Sequence, residues 1–214
     1  MEVYGTKPKM FTKAWWGYFW DYYKMYVFGG IFAVILISVT AVQCATQPSY
    51  DLQIDFASQF GVLPEYEQNI ANLASGVILD ADGDNKIEPY VITFDLRDGG
   101  VVIAENSMAM NTKFAIEQAY PTAYVFIVSE KYAKVSEQNG IMESSSVWAS
   151  ELGEGMDVVS LAGSEALSEI GIDAEAGELY VGVVALTEEN KDNETERRRY
   201  ENGVRFARYL LGLE

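Results

Sequence analysis

The sequence predicts an α/β protein, an N-terminal transmembrane helix followed by a three-layer sandwich with a mainly parallel sheet. Three observations carry that expectation. Residues Tyr26 to Ala45 hold no charge, strand-like and helix-like patterns alternate beyond them, and the run Ala123-Tyr124-Val125-Phe126-Ile127-Val128 is apolar throughout, as strands covered on both faces are.

The uncharged stretch, YVFGGIFAVILISVTAVQCA, reaches roughly 30 Å at helical rise, the thickness of a bilayer's hydrocarbon core. Ten of its residues are Val, Ile, Leu or Phe, which favour insertion by roughly 3 to 6 kcal/mol before the polar residues subtract. A buried helix of a soluble core is the competing reading, but such helices are usually shorter and carry polar punctuation. Residues 11 to 26 supply Phe11, Trp15, Trp16, Tyr18, Phe19, Trp20, Tyr22, Tyr23 and Tyr26. These rings prefer the depth of lipid headgroups.

The charges sort by segment. Residues 1 to 25 balance at +2 through Lys7, Lys9, Lys13 and Lys24, whereas 46 to 214 carry 11 basic and 30 acidic side chains. Lysines before the span place the N-terminus in the cytoplasm and residues 46 to 214 outside a plasma membrane crossed once. The expected organisation is a juxtamembrane segment 1–25, a span 26–45, a linker 46–50 and an extracellular domain 51–214. Cleavage after Val39-Thr40-Ala41 would instead make the span a signal peptide, but the long aromatic flank and long apolar core argue for a retained signal anchor. Lipid attachment at Cys44 would need a small residue where Gln43 stands. Gly29 and Ala33 form a small-xxx-small pair, which is also common in spans that never pair.

In the outer part, Leu52, Ile54 and Phe56 alternate with Asp51, Gln53 and Asp55, reading as a half-buried strand. Leu63, Tyr66, Ile70 and Leu73 then form a helical stripe behind Pro64. Tyr90, Ile92, Phe94 and Leu96 alternate again; Asp98-Gly99-Gly100 signals a turn, with Val101 to Ala104 pairing back as a hairpin strand. Ser107 caps a helix that Pro121 stops, and the apolar run at 123–128 is the central strand. Ser129 caps a helix ending near Gly140, Met156–Leu161 is a strand, and Ser164–Ile170 is a short helix closed by Gly171. Leu179–Leu186 is the last strand, and the last helix carries Tyr200, Val204, Ala207 and Leu211 on one stripe. Arg197, Arg198 and Arg199 lie among Glu194, Glu196 and Glu201, the pattern of a solvated helix face.

One constellation carries chemistry. Asp80, Asp82 and Asp84 occupy positions 1, 3 and 5 of a calcium loop, the Lys86 carbonyl position 7 and Glu88 position 9. Crowding four carboxylates beside one lysine is unfavourable until a cation neutralises them, so calcium is the candidate cofactor. Position 12 is Val91 where a bidentate Glu normally closes the sphere, and position 6 is Asn85 rather than Gly, a substitution that still tolerates a left-handed backbone. The competing reading is an Asp/Asn-rich turn whose side chains hold their own backbone amides.

Other chemistry is excluded by composition. The chain has no His and one Cys, which removes Ser-His-Asp triads, Cys-His dyads and histidine- or multi-cysteine metal sites. The net charge of −17 repels phosphate backbones, so nucleic acid is not an expected partner. Nucleophile-elbow and phosphate-loop motifs are absent, and Gly153-Glu154-Gly155 is too short to serve as one.

Trp20-Asp21-Tyr22-Tyr23-Lys24 leading into the span, the 80–88 loop, and Met108-Ala109-Met110-Asn111-Thr112-Lys113 opening a helix together resemble uncharacterised single-span surface proteins of Gram-positive bacteria. That resemblance implies membrane anchoring and no known activity. Residues 107 to 142 are locally similar to part of one lobe of extracellular solute-binding proteins, although such proteins use two lobes and this chain has length for one. The expected function is a membrane-tethered, non-enzymatic interaction domain whose partners are the lipid bilayer and a protein or small solute. A solute-binding accessory component of a transporter and an envelope hydrolase with paired carboxylates are the alternatives.

Overall fold

The computed structural model describes residues 9–45, 49–97, 101–152, 156–172 and 178–213. Residues 1–48 and 49–214 form two separate compact units. The expected linker at Thr46–Pro48, the turn at Asp98–Gly100 and the Gly153–Gly155 stretch lie outside the described residues.

The first unit is one helix, α1, Lys13–Ala45. Thr12 caps it: its Oγ1 accepts from the Trp15 amide at 3.3 Å, and its carbonyl opens the ladder by accepting from Trp16 N at 3.1 Å. The helix is unbroken across residue 26, so the aromatic segment and the uncharged stretch are one rod. From Lys13 to Val42 it is long and apolar enough to cross a membrane, and its most apolar stretch is unburied.

The second unit is a three-layer α/β sandwich. Its strands are β1 Leu52–Ser58, β2 Pro89–Asp95, β3 Val125–Ser129, β4 Val158–Ser160 and β5 Leu179–Val183, in the order β2-β1-β3-β5-β4. β1 pairs in parallel with β2 and β3, while β5 pairs antiparallel with β3 and β4. Four strands therefore run one way and β5 alone is reversed, so the sheet is mixed but mainly parallel. All five residues of β3 are buried, as its unbroken apolar run predicts.

Helices cover both faces. Register places Ile54 beside Val125 and Phe56 beside Ile127 on one face. There Phe56 meets Tyr66 of α2, Pro64–Ser75, with ring centroids 5.8 Å apart, and α7, Glu194–Leu210, packs through Gly203. On the opposite face Phe114 of α3, Val101–Ala119, lies 5.0 Å from Phe94 and 6.0 Å from Phe126. It also meets Tyr132 of α4, Glu130–Asn139, edge-on at 5.5 Å. Short helices α5, Ser145–Trp148, and α6, Glu165–Glu169, complete the set, and a 3₁₀ turn spans Ser150–Leu152.

Three local expectations change. β1 is covered on both faces rather than half-buried, because it lies between two strands and between two helical layers; Asp51 and Asp55 are consequently interior. Val101–Ala104 is the first turn of α3, not a hairpin strand, and Ser107 is inside that helix rather than at its cap. Val-Val-Ile-Ala is apolar enough for either state, but the chain must cross from β2 over β1 to reach a parallel β3, which calls for a helical crossover. Ser129 precedes α4 without a side-chain cap; its hydroxyl instead accepts from Gln59 N at 2.9 Å and donates to the Ala57 carbonyl at 3.3 Å.

Gly203 marks where α7 comes closest to the sheet. A β-carbon there would lie 3.1 Å from Tyr124 Cβ and 3.3 Å from Val125 Cγ2. Glycine costs helix propensity at this position but lets the helix approach the central strand. Gly203→Leu is expected to destabilise the 49–214 unit by about 1–3 kcal/mol through overpacking. Urea unfolding followed by circular dichroism measures it, and an unchanged midpoint contradicts this packing.

Candidate functional site

The acidic loop between α2 and β2 is shaped by its own aspartates. Asp80 accepts from Gly83 N at 2.6 Å and Asn85 N at 2.8 Å, Asp82 from Asp84 N at 3.0 Å, and Asp84 from Lys86 N at 2.8 Å. Gly83 and Asn85 hold positive φ, 85° and 64°, so Asn85 adopts the left-handed backbone that its position 6 requires.

The residue that ties this loop to the fold lies outside the motif. Asp51, just before β1, is buried and accepts from Ala81 N at 2.6 Å through one oxygen and Glu88 N at 2.7 Å through the other. Asn202 of α7 braces the same region, accepting from Leu79 N at 2.9 Å and donating to the carbonyls of Leu79 at 2.6 Å and Asp51 at 3.1 Å.

Of the expected ligands, the structure gathers Asp80 and Asp82 with Asp51, their nearest carboxylate oxygens all within 4.8 Å of one another. Oxygens this close to one another could share one cation, and a carboxylate oxygen accepting one amide keeps a second lone pair for a metal. Asp84 and Glu88 turn to the Lys86 ammonium, at 3.4 Å and 3.7 Å. Their charges hold Lys86 above the usual lysine range, Glu88 most strongly. Val91 is buried in β2 and offers no side-chain oxygen at position 12. Asp82 is held below the ordinary aspartate range by a Ser49 hydrogen bond first, then by the Asp84 amide. Asp51 was missed because it stands 29 residues before the loop in sequence, and its only signal was an acid directly ahead of an apolar strand.

A second polar constellation lies on the α3 face of β1. Asp55 is fully buried; Gln53 Nε2 donates to its Oδ1 at 3.4 Å, and Oδ2 has no partner among the described residues. Gln53 also donates to Thr122 Oγ1 at 2.7 Å, and Thr122 Oγ1 donates to Glu117 Oε1 at 2.6 Å. The Asp55 carboxyl is pushed up to about 8, by burial first and by the Glu117 charge second, with Gln53 and Lys113 opposing. Two acids share one network here, but Asp55 is closed to solvent and therefore to a substrate.

A partly open cavity of about 610 Å³ lies at the β4 end of the sheet, lined by Ser160, Glu165, Glu169 and Tyr209 among others. It opens where β4 ends at Ser160, at the end of the sheet that also carries Leu96 and Val128, but its lining reaches neither of them; Leu186 follows the reversed β5 and stands at the opposite end.

The Asp55 proton has a measurable consequence. Its folded-state value lies above the unfolded one, so the stability contributed by the neutral carboxyl is complete below about pH 4 and is lost as pH rises through about 8. Asp55→Asn keeps the neutral shape and is expected to flatten this slope, which reaches about 1.4 kcal/mol per pH unit for one proton. Melting temperatures of both proteins from pH 5 to 8 check it: the variant's relative stability should rise with pH, and parallel profiles refute the assignment.

Comparison with protein-family models, curated proteins and solved structures finds no match for this chain.

Proposed function

We propose that the chain is a membrane-tethered extracytoplasmic domain that acts by binding rather than catalysis, with its aromatic N-terminal segment in the cytoplasm. The unburied state of α1 carries this reading. Val34, Ile35, Leu36 and Ile37 are all at least half exposed along one continuous helix. An apolar surface of that size is untenable in water, and lipid covers it without any further folding. The lysine asymmetry supports the orientation. An acidic, compact outer unit fits a role in contacting a protein or small solute at the envelope.

A calcium-stabilised loop is part of this reading, favoured by the Asp51, Asp80 and Asp82 oxygens converging from two places in the chain. Bound there, the cation would offset the local negative charge and add to the hold that Asp51 has on the loop. The transporter-accessory alternative draws less support, because the 610 Å³ cavity lies at the end of the edge strand β4 and its lining reaches neither Leu96 nor Val128, at the ends of β2 and β3. The hydrolase alternative does too, because the coupled acids Asp55 and Glu117 include one sealed from solvent.

Two outcomes are expected. In cells making the protein with an N-terminal tag, added protease removes the 49–214 unit and spares the tagged segment. The product stays with membranes through alkaline carbonate, and its intact mass retains residues 1–45. Release by carbonate, or a mature chain lacking those residues, overturns the anchor. Separately, calcium at millimolar concentration raises the melting temperature of the 49–214 unit by several degrees, as expected for the roughly 10⁻⁴ to 10⁻³ M affinity of extracellular modules. Asp82→Asn shrinks that rise, whereas equal shifts with magnesium or with the variant exclude a specific site.

A further inference from the structure

Within α1 the aromatic segment is two-faced. At 3.6 residues per turn, Lys13, Gly17, Asp21 and Lys24 fall in a strip of roughly 80°, and the eight rings from Trp15 to Tyr26 occupy roughly 200° of the remainder. The rings stack along the helix, Trp15 on Phe19 at 5.4 Å and Phe19 on Tyr23 at 5.5 Å. They remain open to their surroundings, with Trp16, Trp20 and Tyr22 half exposed. The uncharged remainder of the helix has no polar strip.

This geometry conflicts with an upright rod. Residues 26–45 already match the roughly 30 Å hydrocarbon core, and Trp15 lies a further ~16 Å along the axis from Tyr26. The headgroup layer on each side is only about 5–7 Å deep. Upright, Trp15 and Trp16 would stand in water with their aromatic face bare. Fitting the whole aromatic segment into that layer requires an inclination of roughly 65–70° from the bilayer normal, whereas spans tilt by no more than about 40°. The two halves therefore need different directions, with a bend of about 25° or more between them.

The sequence provides a place for it. Gly29 and Gly30 stand in the helix interior near this junction, where glycine is unfavourable relative to alanine. Among the described residues nothing lies within 4 Å of the position a β-carbon would take on either, so packing within this helix does not require them. Glycine pairs are among the recognised causes of sharp helix kinks.

We propose that, in the membrane, residues 13–25 lie as an interfacial helix in the headgroup layer of the N-terminal leaflet, joined to the span by a bend at Gly29–Gly30, which leaves residues 30–45, about 24 Å of helix, to cross a locally thinned hydrocarbon core. The rings face the acyl boundary, and Lys13 and Lys24 face the phosphates. The occupant of the aromatic face is lipid: the face runs directly into the apolar surface of the span, and its polar strip carries two cations against one anion. This rests on the anchoring reading and adds a second membrane contact to it.

The test uses the full-length chain in vesicles of three parts phosphatidylcholine to one part phosphatidylglycerol. Versions retaining only one of Trp15, Trp16 or Trp20, the others changed to Phe, are compared with a chain lacking all three, which accounts for the buried Trp148. An in-plane helix gives all three indoles similar acrylamide quenching, within about twofold, and strong quenching by lipids brominated near the headgroup. Gly29→Leu with Gly30→Leu is expected to raise acrylamide quenching of Trp15 and Trp16 about threefold while Trp20 changes less. Indoles at 15 and 16 open to acrylamide in the wild-type chain, the result for an upright rod, overturn the proposal. Protection from both acrylamide and brominated lipid assigns the face to another helix and also overturns it. Failure to float with vesicles removes the anchor itself, an outcome distinct from either.

Discussion

A single buried carboxylate organises the start of the sheet. Asp51 gives both oxygens to amides of the acidic loop, and its own amide donates to the Glu88 carbonyl at 3.1 Å. Three hydrogen bonds thus join residue 51 to the loop, and the strands that follow begin in register at Leu52 beside Pro89. Pro89 has no amide to give and opens an edge strand, where that loss is tolerated. Without Asp51, the interior Ala81 amide would have to find another acceptor, a cost of about 1–3 kcal/mol, whereas the Glu88 amide lies near enough to the surface to turn to water. The Asn202 side chain extends the constraint to α7, so the last helix, the first strand and the acidic loop hold one another in place.

That constraint decides what the loop can do. Its aspartates first serve the backbone, which fixes their positions before any cation arrives; a cation would then meet oxygens already oriented rather than a flexible acidic strand. The same arrangement turns Asp84 and Glu88 toward Lys86 and leaves the convergent set at Asp51, Asp80 and Asp82. Asp55 follows the opposite logic. Set among Phe94, Phe114 and Phe126 on the covered face of β1, it avoids the cost of a buried charge by keeping its proton.

The two units treat their apolar side chains in opposite ways. In residues 49–214 apolar side chains are withdrawn between helices and sheet, and the exposed faces carry charge, as in the Arg198–Glu194 and Arg197–Glu201 pairs of α7. In α1 every residue from Phe28 to Val42 is exposed, and the charged residues of its first half are confined to one strip. A helix of this length and apolarity is long enough to cross a membrane.

Much of this was open to a reader of residues. The long apolar helix was legible because length and absence of charge are properties of the chain itself. β3 was legible because a strand buried on both faces has an unbroken apolar run, and α7's charged face because paired charges recur at helical spacing. β1 was misread because alternation reports which side chains are polar, not whether a second helical layer covers them; only the sheet order placed Asp55 inside. The reversal of β5 and the helical fate of Val101–Ala104 were likewise decided by where the chain had to cross. Sequence spacing supplied Asp80 and Asp82, but Asp51 joined them only through folding, since a contact across 29 residues leaves no periodic trace.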